Sequence, residues 1–212
     1  MTRRSLSVRG LTAAALVLVW VQAPGAATGL AFLKNGVDAR ATMLGHAMTA
    51  CVDDASACYW NPAGLAGGER PQLIFSHVES FADLRHEYAA VTQPLHGATV
   101  GLAFNGLWTD NLEGFDEIGE STGSFGYSAY AASLAAGLRG PWGTRLGVGG
   151  AYLSETIGSY SATGWSADVG CQWSPQPGSP FTVGLAARHI GPAMKFIEPK
   201  NADQVVTAAT PA

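Results

Sequence analysis

Trp165-Ser166-Ala167-Asp168-Val169-Gly170-Cys171-Gln172-Trp173 alternates without a break. Trp165, Ala167, Val169, Cys171 and Trp173 fall on one face. Ser166, Asp168, Gly170 and Gln172 fall on the other. A period of two is the spacing of a β-strand whose faces meet different surroundings. The pattern recurs on both sides of this stretch. Val100, Leu102 and Phe104 alternate with Thr99, Gly101, Ala103 and Asn105. Tyr130, Ala132, Leu134, Ala136 and Leu138 alternate with Ala131, Ser133, Ala135, Gly137 and Arg139. Phe181, Val183 and Leu185 alternate with Thr182, Gly184, Ala186 and Arg188. From Gln72 onward the chain therefore reads as all-β, with about eight strands and the last near Gln204 to Thr210.

Alternation alone fits a soluble sandwich or a membrane barrel, and two details favour an antiparallel transmembrane β-barrel. The second face is Gly, Ala, Ser and Thr with a few ions, which suits a crowded lumen better than open solvent. The strands also run to nine residues or more, the length that a tilted membrane strand needs. Trp108, Trp142, Tyr152, Trp165 and Trp173 stand where interfacial girdles fall, though each also fits a core. Links are read as short at Gln93 to Gly97, Gly140 to Thr144 and Ser174 to Pro180. They are read as long and polar at Ser80 to Arg85, Leu107 to Gly126, Ser154 to Ala162 and Ile190 to Asp203. Short periplasmic turns and long outer loops are the barrel pattern, with Gln72 to Glu79 as the first rising strand.

Composition agrees with a lipid-facing surface. Of 212 residues, 47% are hydrophobic and 13% charged, well under the roughly 25% of an ordinary soluble domain. The net charge of -4 argues against a nucleic-acid partner, which calls for a basic face. Residues 1–27 read as a signal peptide. Arg3 and Arg4 open it, an apolar run from Leu11 to Val21 follows, and Gln22 to Ala27 supplies small residues for cleavage. That run is too short to span a bilayer core that needs roughly 20 residues. Export of the chain to the outer membrane of a Gram-negative-type cell follows from this reading.

Residues 28–71 do not alternate. Ala39 to Cys51 reads as a short helix, while Asp53-Asp54 and Asn61-Pro62-Ala63-Gly64 carry cap and turn chemistry. Ahead of a barrel, such a segment either plugs the lumen or hangs in the periplasm. Cys51 and Cys58 have the option of pairing in an oxidising compartment; the favoured reading makes them, with Cys171, small apolar fillers.

These residues carry a resemblance. Phe32-Leu33-Lys34-Asn35-Gly36-Val37-Asp38-Ala39-Arg40-Ala41 looks like the mature start of the PorV/PorQ family of outer-membrane proteins, relatives of the FadL-like transporters. Val52-Asp53-Asp54-Ala55-Ser56-Ala57-Cys58-Tyr59-Trp60-Asn61-Pro62-Ala63-Gly64-Leu65-Ala66 resembles that family's most specific signature. The resemblance implies a 14-stranded FadL-like barrel with its N-terminal segment folded into the lumen. It implies that Asn61-Pro62-Ala63-Gly64-Leu65 fixes that plug to the wall. Since only about eight strands are read here, the resemblance also leads to the expectation of a barrel incomplete at its C-terminal side.

For chemistry the sequence offers little. Asp53-Asp54 is read as a cap rather than a cation site. The acidic run Asp110, Glu113, Asp116, Glu117 and Glu120 lacks EF-hand spacing and reads as a solvated loop. His46, His77, His86, His96 and His189 stand in no nucleophile motif. Asp168 and Arg188 are placed on lumen faces of neighbouring strands. No cofactor, metal or enzyme activity is expected. The family analogy implies a secretion-associated (type IX) barrel that binds exported proteins or secretion components. The competing expectation is a FadL-like transporter with a hydrophobic ligand between plug and wall, and both would have outer-membrane lipid as a partner.

Overall fold

The computed structural model describes residues 30–176, 179–197 and 205–206. The signal-peptide reading lies outside the described residues, as does all of the expected last strand except Val205 and Val206. Nine strands form one sheet: β1 (Gln72–Glu79), β2 (Arg85–Leu95), β3 (Ala98–Phe115), β4 (Ser121–Arg139), β5 (Thr144–Ile157), β6 (Tyr160–Trp173), β7 (Val183–Ile190), β8 (Phe196–Ile197) and β9 (Val205–Val206). All pairings are antiparallel. From β1 to β6 each strand pairs with the next; the far edge of β6 is shared by β7 and β8, and β9 pairs with β8. Among the described residues β1 pairs with β2 alone. The all-β antiparallel reading therefore holds.

The links differ from expectation. Leu107 to Gly126, read as a long loop, is mostly ladder. β3 runs 18 residues to Phe115, β4 runs 19 residues from Ser121, and Asp116 to Glu120 alone connects them. Ser154 to Ala162 is likewise strand up to Ile157 and again from Tyr160. Acidic and small residues hid the alternation here, and a register shift between Thr109 and Leu112 breaks it outright. Conversely, Ser174 to Pro180, read as short, belongs to a link that reaches Val183. The simple rule of short links below and long ones above is not met.

The two faces of the sheet do separate as the alternation requires. Tyr88, Ala90, Ala103, Asn105, Ala131, Ala135, Ser166, Asp168 and Gln172 are buried on the inner face. Leu73, Leu102, Leu134, Val148, Trp165, Val169 and Leu185 are exposed on the outer face. What covers the inner face is the segment ahead of β1. It consists of a 3-10 turn at Ala31–Lys34, the helices α1 (Ala39–Met43) and α2 (Ala57–Trp60), and a 3-10 stretch at Pro62–Gly67. The expected helix over Ala39 to Cys51 is a single short turn. Asp38 caps it by accepting from the Ala41 N–H at 2.7 Å, and Gly45 and His46 at positive φ end it.

Two apolar clusters hold segment and sheet together. One joins Val37, Met48, Val52, Cys58, Tyr59, Trp60 and Leu65 to Tyr88, Ala90, Ala103 and Ala135. The other joins Leu30, Phe32 and Leu33 to Leu107, Ala129, Ala131 and Leu153. The core of this protein is therefore the seam between its N-terminal segment and one face of its sheet. Burial of apolar area there is the main term favouring the docked state.

Candidate functional site: the seam between plug and wall

Three glycines from three neighbouring strands stand directly opposite one another, since Gly137 pairs with Gly147 and Gly147 with Gly170. The row makes a flat strip, and Asn61-Pro62-Ala63 lies on it. A methyl group at Gly147 would overlap the Pro62 carbonyl carbon and the Ala63 nitrogen. At Gly170 it would overlap Asn61 Oδ1, and at Gly137 it would sit 2.5 Å from the Ala66 nitrogen. Backbone thus packs on backbone, which only residues without a side chain allow. Gly101 under Cys58 and Gly184 under Thr49 and Ala50 extend the strip.

Asn61 is the fully buried centre of the seam. Its Oδ1 accepts from the Ala63 N–H at 3.1 Å and caps the 3-10 stretch that Pro62 begins. Its Nδ2 donates to the Thr49 carbonyl at 2.7 Å, and at 3.4 Å to those of Cys171 on β6 and Leu185 on β7. One side chain so joins the plug's two halves and the wall.

The wall answers with long donors aimed at plug carbonyls. Gln172 Nε2 donates to Val52 at 3.0 Å and to Thr49 at 3.2 Å. Arg139 Nε donates to Ala66 at 2.9 Å, and Arg188 Nη1 to Tyr59 at 2.9 Å. The Arg188 guanidinium also lies 4.9 Å from the Tyr59 ring centre and 5.3 Å from that of Trp60, a double cation–π contact. These bonds satisfy carbonyls that the irregular plug backbone would otherwise bury unpaired.

The expected site residues divide clearly. Tyr59, Trp60, Asn61, Pro62, Ala63, Gly64 and Leu65 all lie buried in the seam. Tyr59 Oη donates to the Leu33 carbonyl at 2.5 Å and that of Asn35 at 2.8 Å, and Trp60 Nε1 to Asp38 at 2.9 Å. Burial raises the Tyr59 hydroxyl pKa, with Arg188 opposing it. Asp54 does act as a turn cap, accepting from the Ser56 N–H at 2.9 Å. Both Asp53 and Asp54 also bind Arg40 Nη1, at 2.8 and 3.1 Å, a cation partner that the sequence reading missed.

Asp168 and Arg188 both face the seam but take different partners. Asp168 accepts from the His189 backbone N–H at 2.6 Å, while Arg188 goes to Tyr59 and Trp60. The cysteines are free, so the disulfide alternative fails. Cys58 is a buried filler whose thiol is pushed up to about 12 by burial; Cys51 is exposed, contrary to the filler reading. Sequence reading also missed Glu155 and Gln172, the first because it fell in a stretch taken for loop. Continuing the β5 alternation two residues past Leu153 would have placed it on the inner face.

An open pocket of about 370 Å³ lies at the Ala66 and Arg139 end of the seam, but the space enclosed deeper in it is small. A cavity of about 20 Å³ lies among Leu33, Cys58, Tyr59, Tyr88, Asn105, Asp168 and His189. That holds one water and no acyl chain. Among the described residues no group of three or more His, Cys, Asp or Glu side chains is placed to hold a metal. Nor, among them, is any helix long and apolar enough to cross a membrane.

The arrangement defines the protein as an all-β chain whose antiparallel sheet is capped on one face by its own N-terminal segment. No protein-family model and no curated protein matches it.

Proposed function

We propose that the chain is an outer-membrane protein of the PorV/PorQ type, in which the sheet is part of a closed FadL-like barrel wall and residues 28–71 are its plug. The observation that carries this reading is the outer face. On β6 it runs from Trp165 through Ala167, Val169 and Cys171 to Trp173, eight steps or roughly 26 Å along the strand at about 3.3 Å per residue. The cross-strand rows continue it. Phe104, Ala132, Tyr152 and Trp165 form an aromatic-rich row, and Val100, Ala136, Val148 and Val169 an aliphatic one. Water would make so wide an apolar surface a liability; hydrocarbon makes it the natural covering. In hydrocarbon the free edge of β1 needs a strand partner, which closure supplies.

The role we infer is partner binding in type IX secretion rather than solute passage. A seated plug with about 20 Å³ of free space around Tyr59 and His189 supports a scaffold; a FadL-like hydrophobic ligand would have to use the open pocket beside Ala66 and Arg139 or displace the plug. The β3–β4 hairpin, far longer than the 9–11 residues a bilayer needs, supplies an acidic projection for exported proteins or secretion components. The test is affinity capture with a tagged chain from solubilised outer membranes. Recovery of exported proteins that share a terminal domain, lost when residues 110–120 are shortened, is the expected result. Capture unchanged by that deletion, or none at all, overturns the partner-binding role.

A further inference from the structure

Arg139 ends β4 and Arg145 is the second residue of β5, and across the tight link between these strands the two stand directly opposite each other. Each is two residues from a glycine of the strip, Gly137 or Gly147, so both point to the inner face. Like charges opposed across a ladder are unfavourable by themselves. The Pro62–Gly67 stretch lies against both. Arg139 Nε holds the Ala66 carbonyl at 2.9 Å, and the Arg145 guanidinium lies over Gly67, where a methyl group would be 3.1 Å from Nη1.

Acids do not offset this pair. Glu69 lies 3.6 Å from Arg139 Nη2 and is 84% exposed, a contact too long and too wet to count for much. Among the described residues the Arg145 side chain has neither an ion pair nor a hydrogen-bond partner. In a chain of net charge -4 this end of the seam is locally basic. Beside it opens the pocket of about 370 Å³, at the small end of the roughly 300–1,000 Å³ of ligand pockets. Arg139 and His96 supply it with polar groups, and Pro94, Leu95 and Ala98 with apolar ones. His96 and Gly97, at φ 21° and 89°, form the two-residue hairpin turn that sets its rim.

We propose that this pocket binds a phosphate ester, its phosphate clamped between Arg139 and Arg145 and its carbon substituent lying on Pro94, Leu95 and Ala98. A guanidinium presents forked donors that match phosphate oxygens. One carboxylate has oxygens for a single fork, whereas a tetrahedral phosphate has enough for two. The anion relieves the opposed charges and displaces Glu69, while Arg139 Nε stays on Ala66 and holds its guanidinium in place. The site itself needs no membrane. In the barrel reading this end of the wall is the periplasmic rim, where the phosphate comes either from a soluble ester or from a phospholipid headgroup.

Calorimetric titration of the full chain in a phosphate-free maltoside detergent with glycerol 3-phosphate tests the site, with glycerol and acetate as controls. Saturable binding of glycerol 3-phosphate and of neither control is the expected result. Arg145→Gln should weaken it on the order of tenfold, with Arg145→Lys in between. Glu69→Gln, an exposed change that leaves the fold alone, should tighten it by about two- to fivefold, since the competing counter-ion is gone. The same titration in phosphatidylglycerol nanodiscs identifies the source. Loss of the added ester's binding there marks a headgroup in the site, and its persistence marks a soluble ester. Absence of saturable binding, acetate bound as well as the ester, an unchanged affinity in Arg145→Gln, or a weaker one in Glu69→Gln overturns the proposal, whatever covers the outer face.

Discussion

Gly147 and Val148 are neighbours on β5, and they mark the two kinds of surface this sheet has. Gly147 is buried where the plug backbone touches the wall, and any side chain there collides with Pro62 and Ala63. Val148 points the other way and is 58% exposed, with only its cross-strand neighbours Ala136 and Val169 beside it on that face. Beneath Asn61, Pro62 and Ala63 the inner face selects for absence of side chain, while the outer face selects for apolar side chain. A soluble sandwich would show the reverse economy, with its large apolar groups inside. The difference teaches that close packing in this protein lies between the N-terminal segment and the sheet, while the outward surface carries apolar side chains that are exposed in the described structure.

That contrast can be broken by substitution. The largest effect is expected for Gly147→Val, which should cost about 3 kcal/mol or more through overpacking against backbone. Unfolding by denaturant in detergent or bilayer measures it, with Val148→Ala losing under about 1 kcal/mol as the paired control. Equal losses at the two positions would erase the contrast. Next is Leu134→Arg, at the middle of the outer face. In lipid it should destabilise by about 2–4 kcal/mol; a change within about 0.5 kcal/mol would be that of a wetted surface.

Asn61→Ala comes third, at about 1–3 kcal/mol, because it strips the cap and leaves buried carbonyls of β6 and β7 without their shared donor. Faster maleimide labelling of Cys58 should accompany it. Arg188→Gln should cost roughly 1–2 kcal/mol from the cation–π pair and the Tyr59 carbonyl bond, read in the same unfolding assay. The last effect concerns pH and is absent at neutrality. The native Cys58 thiol holds its proton up to about 12, against 9.0 for an ordinary thiol. The unfolded chain releases that proton first, so the thiol's stabilising contribution is complete below about 9 and falls as pH rises toward about 12. Cys58→Ala should lack the part of the decline that begins near 9, while the part from the buried Tyr59 hydroxyl, beginning near 10, remains.

Much of the sheet was legible because period two survives wherever one face meets the N-terminal segment and the other carries exposed apolar side chains. Trp165 to Trp173 is strand throughout, and every inward residue there is buried or nearly so. Legibility failed where acidic and small residues interrupt the period of two. The ends of β3 and β4 carry Asp110, Glu113 and Ser124, and a register shift between Thr109 and Leu112 puts Leu112 opposite Phe125 out of the simple alternation. Within the seam, the resemblance pointed to Asn61 and Pro62 as the fixing element, and both do lie at its centre. Its glycine strip was visible only as a face of small residues, because nothing local says that Gly137, Gly147 and Gly170 will stand in register. Arg40 with Asp53 and Asp54, and Glu155 with Leu30, were out of reach for the same reason, being contacts between distant segments.

The central claim is that lipid covers the outer face, and tryptophan quenching by brominated acyl chains tests it most directly. Variants retaining Trp165 or Trp173 alone, reconstituted into brominated-lipid vesicles, should lose most of their emission. A variant retaining only Trp60, buried in the plug, should keep it. Emission from Trp165 and Trp173 that brominated lipid leaves untouched, from a chain that stays monomeric in buffer, would contradict the account.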